Sequence, residues 1–234
     1  MIDLCRGYGM SMARDDDDFQ RARRPEQKRQ REAAILEAAR RLALRDGVRN
    51  ISLADIAADV GMHKTALLRY FGTREEIYLN IATEAWQEWA KTLSVTLGGL
   101  ARGDVTGIAK AFATSLDERP LLCDLFTHAP LNLERNVSLT AVITFKLSAI
   151  TDVKILNDAV RKILPKLTED DGNELLVGIT TLAAGLWQLG HPPPNVAKLY
   201  VEHPAMSHTA IEFVSAITRL TESLALGLLA KQAR

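Results

Sequence analysis

Residues 51–71, ISLADIAADVGMHKTALLRYF, restrict the possible folds more than any other stretch of this 234-residue chain. Ser52 is a residue type favoured at helix N-caps. Leu53, Ile56, Ala57 and Val60 follow at the three- and four-residue spacing that puts apolar side chains on one helical face. Gly61 then stands where helices commonly end in a left-handed residue, a conformation only glycine adopts at little cost. Leu67, Leu68 and Phe71 repeat the helical spacing. The pattern predicts two short helices, the second over residues 63–71, joined by a tight turn. Such a pair forms the helix-turn-helix motif, whose second helix enters the DNA major groove; the same spacing also serves a helical hairpin with no DNA role.

Charge bears on that choice. Residues 21–74 hold thirteen Lys and Arg against six Asp and Glu, a net charge of +7. The rest of the chain, with 16 basic and 23 acidic residues, carries −7, so the whole is neutral. Such asymmetry points to a polyanionic partner for the first part alone. Cys5 and Cys123 are too few and too far apart for a disulfide framework or a zinc motif, as expected of a protein in a reducing cytoplasm. The apolar run at residues 175–190 contains Thr and Gln and falls short of the roughly 20 residues that span a bilayer. The N-terminus has no apolar core before the acidic run at residues 15–18, so no signal peptide and no membrane partner are expected.

Residues 1–23 are rich in glycine and charge without periodicity and are expected to be a disordered tail, with Met10 or Met12 as a possible start of the chain. Arg21, Arg23 and Arg24 are either a minor-groove arm or a solvated tail. Pro25 suits the first turn of a helix, where its missing N–H costs nothing. Ile35, Ala39 and Leu42 then mark a buried stripe flanked by Ala38 and Ala43, and Gly47 ends the helix. Residues 24–74 are thus expected to form a three-helix DNA-binding domain.

The run at residues 33–77, AAILEAARRLALRDGVRNISLADIAADVGMHKTALLRYFGTREEI, resembles the N-terminal domain of the TetR family of bacterial transcriptional regulators. The likeness lies in the alanine-rich first helix and its glycine, Asp55-Ile56-Ala57, Gly61, Tyr70-Phe71, and the basic residue ahead of acidic ones at Arg74-Glu75-Glu76. The resemblance implies a recognition helix over residues 63–71 with Lys64, Thr65 and Ala66 nearest the base edges. It makes Ser52, Tyr70 and Arg74 phosphate contacts, and puts His63 at the helix-capping position, within reach of the DNA backbone. Position 68 departs from the pattern: the family usually carries a tyrosine there, and Leu68 has no hydroxyl to offer a phosphate.

Beyond residue 74, Ile77, Ile81, Ala85, Trp89 and Leu93 recur every four residues, predicting a long helix broken by Gly98, Gly99 and Gly103. Further helices are expected at about residues 105–116, 120–128, 134–164, 173–189 and 207–231, with Pro130, Pro165 and the triplet at 192–194 between them. The fold is expected to be all-α, with residues 75–234 a larger helical domain; the resemblance makes that domain ligand-binding and dimerising. The dimer face is expected at Gly178, Ala183 and Gly185 on one helix and Phe213, Ile217, Leu220, Leu224 and Leu228 on the last, unless both stripes face the chain's own core. Trp86, Trp89, Phe112, Phe126, Phe145 and Trp187, with His128 and Gln188 as polar anchors, are candidates for an effector pocket, and ordinary core packing is the competing account.

His191, His203 and His208 lack the three- or four-residue spacing of metal ligands on one helix face, and no cofactor is expected. No nucleophile, carboxylate pair or phosphate loop points to an enzyme. The expected function is that of a repressor binding a palindromic site on double-stranded DNA as a homodimer and released by a small molecule. The alternative is a sequence-independent, architectural DNA binder.

Overall fold

In the computed structural model, residues 13–206 and 211–232 are described, with side chains from residue 25 onward. Among these residues all regular structure is helical. Helix α1 spans Ala13–Asp46, α2 Leu53–Asp59, α3 Lys64–Leu67 and α4 Arg74–Gly98. They are followed by α5 Val105–Asp117, α6 Pro120–His128, α7 Leu139–Ile163, α8 Glu169–Gly190, α9 Pro194–Glu202 and α10 Phe213–Lys231.

The 25 residues of α4 tie the two halves together. Ile77, Tyr78, Leu79, Ile81 and Ala82, in its first half, are buried with Ile35, Leu42, Ile56 and Leu67 of the first three helices and with Phe71 just beyond them. Trp89, Ala90, Leu93 and Leu97, in its second half, are buried among Ile108, Phe112, Leu156, Leu175 and Ile217 of α5, α7, α8 and α10. One apolar stripe therefore serves two cores in succession. The N-terminal core also takes in Leu125 of α6, Leu133 of the π-turn after it and Phe145 of α7, so packing does not stop at residue 74.

Several expectations need correction. Helix α1 begins at Ala13 rather than at Pro25, which lies inside it; the part of the expected disordered tail over residues 13–23 is therefore helical backbone. A proline inside a helix removes one backbone bond and crowds one carbonyl. The Ala, Arg and Gln around it are strong helix formers, a preference that an apolar-periodicity reading does not register. The rest of that tail, and the side chains of Arg21, Arg23 and Arg24, lie outside the described residues. Helix α7 starts at Leu139 instead of about 134, because Pro130 sits in a π-turn at Ala129–Leu133 and Ser138 caps the new helix by accepting from the Ala141 N–H. Helix α9 was not expected: Pro193 and Pro194 open it instead of merely separating its neighbours.

Helix α10 is long and apolar enough to cross a bilayer by length and composition, but its apolar side packs on α5 and α8.

Candidate nucleic-acid interface

Each turn of residues 51–71 has a local cause. Ser52 caps α2 with a capping box: its Oγ accepts from the Asp55 N–H at 3.2 Å, and the Asp55 carboxylate accepts from the Ser52 N–H at 2.8 Å and its hydroxyl at 2.6 Å. Those bonds, made to the ionised form, hold the Asp55 carboxyl below its ordinary value. Gly61 has φ +64°, the left-handed turn expected of it, and the Met62 N–H closes back on the Ala57 carbonyl at 2.8 Å. His63 then caps α3, its Nδ1 accepting from the Thr65 N–H at 3.4 Å with the Thr65 hydroxyl 2.8 Å away.

Helix α3 is shorter than the expected 63–71. Its regular part ends at Leu67, and tighter turns carry the chain onward, the Tyr70 N–H bonding the Leu67 carbonyl at 2.9 Å. Leu67 and Phe71 are buried, while His63, Lys64, Thr65, Leu68 and Arg69 are exposed. Ala66 and Tyr70 are half-buried. The proposed reading residues thus sit on the outer side of a short, firmly anchored helix.

Arg74 does not take the position expected of a phosphate contact, and this is a correction. Its Nε donates to the Ile51 carbonyl and one guanidinium nitrogen to the Val48 carbonyl, while the other lies 3.1 Å from the Glu75 carboxylate. The guanidinium carbon stands 4.8 Å from the centre of the Tyr78 ring, a cation–π distance. The side chain is only 18% exposed. It fastens the loop before α2 to the start of α4.

The other cations sort by partner. Arg29, Arg40, Arg41 and Arg45 pair with Glu26, Glu84, Asp59 and Asp46. Among the described residues, Arg31, Arg49, Lys64 and Arg69 form no ion pair. Arg31 lines an open groove of about 650 Å³ with Gln27, Lys28, Gln30, Ala34 and Tyr70, between α1 and the end of the reading segment. The sequence pattern did not single out Arg31 or Arg69; for Arg69 the usable signal was a basic residue within 63–71 outside the apolar stripe.

The aromatic candidates for the effector pocket are divided between the two cores. Trp86, Trp89, Phe112 and Phe126 pack on one another with ring centres 5.1–6.0 Å apart, and the Trp89 Nε1–H donates to the Ser115 hydroxyl at 3.0 Å. Phe145 belongs to the N-terminal core, and Trp187 stacks on His191 at 3.7 Å. Burying these rings against each other stabilises more than leaving a cavity between them. His128 and Gln188 do meet, at Asp124: His128 Nε2 lies 3.4 Å from its Oδ1, to which Gln188 donates at 2.8 Å.

Much of the expected dimer face is also interior. Ala183, Phe213, Ile217 and Leu228 are buried in this chain's own core. Gly178 faces Leu224, whose methyl would lie 2.4 Å from an added Cβ. Gly185 and Leu220 remain exposed, with Val177 and Leu226 nearby in sequence on the same two helices. An apolar stripe at helical spacing records burial without saying whether the cover is the same chain or another.

Residues 35–81 match the family described as bacterial regulatory proteins of the tetR family, and residues 83–232 match the tetracyclin repressor-like C-terminal domain. No curated protein matches the chain. Among solved structures, the fatty acid degradation regulator FadR from Bacillus halodurans is similar with a TM-score of 0.55 at 10% identity, over 84% of this chain and 98% of that one. The Thermus thermophilus FadR, a repressor solved with lauroyl-CoA, gives 0.53 at 14% identity over 83% and 93%.

Proposed function

The chain belongs to the TetR family of bacterial transcriptional regulators, and from that premise we propose that it is a cytoplasmic repressor that reads a palindromic operator as a homodimer and is released by a small molecule. The observation that carries the reading is the outer side of α3. Lys64 and Thr65 are exposed and serve no core, and Lys64 has no ion-pair partner among the described residues. A lysine there donates to guanine O6 and N7, and a threonine methyl meets a thymine methyl. Arg31, Arg69 and Tyr70 supply charge and donors for phosphates on either side, which fix register without reading sequence.

One domain of this size reads half a site. A two-fold pair places two α3 helices about 34 Å apart, one DNA turn, and so recognises an inverted repeat. Effector release rests on the family and on the T. thermophilus repressor, which was solved with lauroyl-CoA. A ligand acts here only by binding one separation of the two readers better than another.

Leu68, 40% exposed and without a donor, favours a weaker grip on the backbone and is the feature behind the second reading, a binder without sequence preference. Light scattering with DNase footprinting tests both. The proposal expects a particle of two chains protecting one defined site in two patches a turn apart; a single-chain particle, or protection spread evenly over any DNA, contradicts it.

A further inference from the structure

Val48, in the short turn Val48–Asn50 between α1 and α2, has both of its backbone polar groups held by side chains from beyond the DNA-binding domain's first three helices. Its N–H donates to Asp124 Oδ2 of α6 at 2.8 Å, and its carbonyl accepts from Arg74 at the start of α4. Gly47, with φ +82°, turns the chain into this position. We propose that Asp124 is a positioning residue: through Val48 it fixes the pose of the DNA-reading domain against the regulatory helices, and with it the separation of the two recognition helices in the dimer. The proposal rests on the dimeric operator-reading function above.

Three features carry it. Asp124 is held from several sides, its Oδ1 accepting from Gln188 of α8 and lying 3.4 Å from His128, so its other oxygen is aimed at Val48 by α6 and α8 together. Gln188 Nε2 also lies 3.4 Å from the Thr127 hydroxyl, which in turn donates to the Ala184 carbonyl of α8 at 3.0 Å. A shift of α6 against α8 therefore moves the acceptor. On the far side of Val48, Arg74 also holds the Ile51 carbonyl, immediately before the Ser52 cap of α2. Moving the turn thus moves the cap on which the helix pair is built. Burial alone would raise the Asp124 carboxyl, and the bonds from His128, the Val48 N–H and Gln188 outweigh it and keep the group ionised. A charge-assisted bond to a backbone N–H is stronger and more directional than a neutral one.

The test uses the full-length protein with Asp124→Ala. Amide exchange at Val48 is expected to quicken by about tenfold or more, while the Met62 and Tyr70 amides inside the reader keep their protection. Selection from random DNA is expected to return the wild-type half-site unchanged but with spacers varying by one or two base pairs. A purely structural role would lower affinity for every site and leave the spacing narrow. If the alanine variant does not fold, Asp124→Asn, of the same shape but without the charge, is expected to loosen both readouts to a smaller degree. Val48 exchange equal to wild type in the folded variant, or spacing as narrow as wild type, overturns the proposal. Should wild type select no paired half-sites, the operator-reading function fails, and the clamp is judged by Val48 exchange alone.

Discussion

At single residues, exposure and partners separate side chains that look alike in sequence. Lys64, Arg69 and Arg74 are all basic residues on or beside the reading segment. Lys64→Ala is expected to relax preference at one base position by about 1–3 kcal/mol, and Arg69→Ala to weaken all sequences about equally and reduce the salt dependence by about one ion. Arg74→Ala is expected to act on folding instead, lowering stability by about 2–4 kcal/mol, since two buried carbonyls lose a charged donor. Salt-controlled binding titrations beside urea unfolding separate the three; Arg74→Ala with normal stability and weakened binding would restore it as a phosphate contact. The exposure of Lys64 and Thr65 was legible in the sequence because local capping and spacing place them away from Leu67 and Phe71. The fate of Arg74 was not, because its acceptors lie 23 and 26 positions away. A second residue prediction concerns Asp152. Burial holds its carboxyl above the ordinary value, only partly offset by Ser148, whose hydroxyl lies 3.4 Å away. The folded chain therefore holds that proton more tightly than the unfolded one, so the charge costs stability once pH rises through the carboxylate range. Asp152→Asn is expected to melt higher than wild type at pH 7, with the gain vanishing below about pH 4; an equal or lower melting temperature at pH 7 would contradict this.

At the scale of elements, what the sequence stated plainly was punctuation backed by side chains. Ser52, Gly61 and Pro120 begin or end helices where their chemistry says they should. Gly61 offers the sharpest check. Nothing lies within 4 Å of the site of an added Cβ, so Gly61→Ala costs only the left-handed backbone, about 1–2 kcal/mol in thermal or urea unfolding. A loss well beyond that would mean the turn is crowded in a way the structure does not contain. Elements were misread where periodicity was absent or prolines were ambiguous. The early turns of α1 have no apolar stripe, and a proline triplet both breaks one helix and starts another. The short α3 followed by tight turns was hidden because Leu67 and Phe71, four apart, satisfy a helix and a looser coil alike.

Across the whole molecule, the two cores meet along α4, and the turn at Val48 adds a polar link from α6. Movement of the regulatory helices therefore has a physical route to the reader. The all-helical fold and its division along one spine could be read from the four-residue repeat of Ile77, Ile81, Ala85, Trp89 and Leu93. Which surfaces face a second copy could not, since the stripe on α10 is largely consumed within the chain. The central claim, that two copies of α3 read an inverted repeat through Lys64 and Thr65, is tested most directly by selecting bound sites from a random DNA pool with the purified full-length protein. The account predicts a palindromic consensus whose half-site centres lie about one helical turn apart, and a half-site that loses definition at one position in Lys64→Ala. A pool that yields no consensus, or one that Lys64→Ala leaves unchanged, would contradict it.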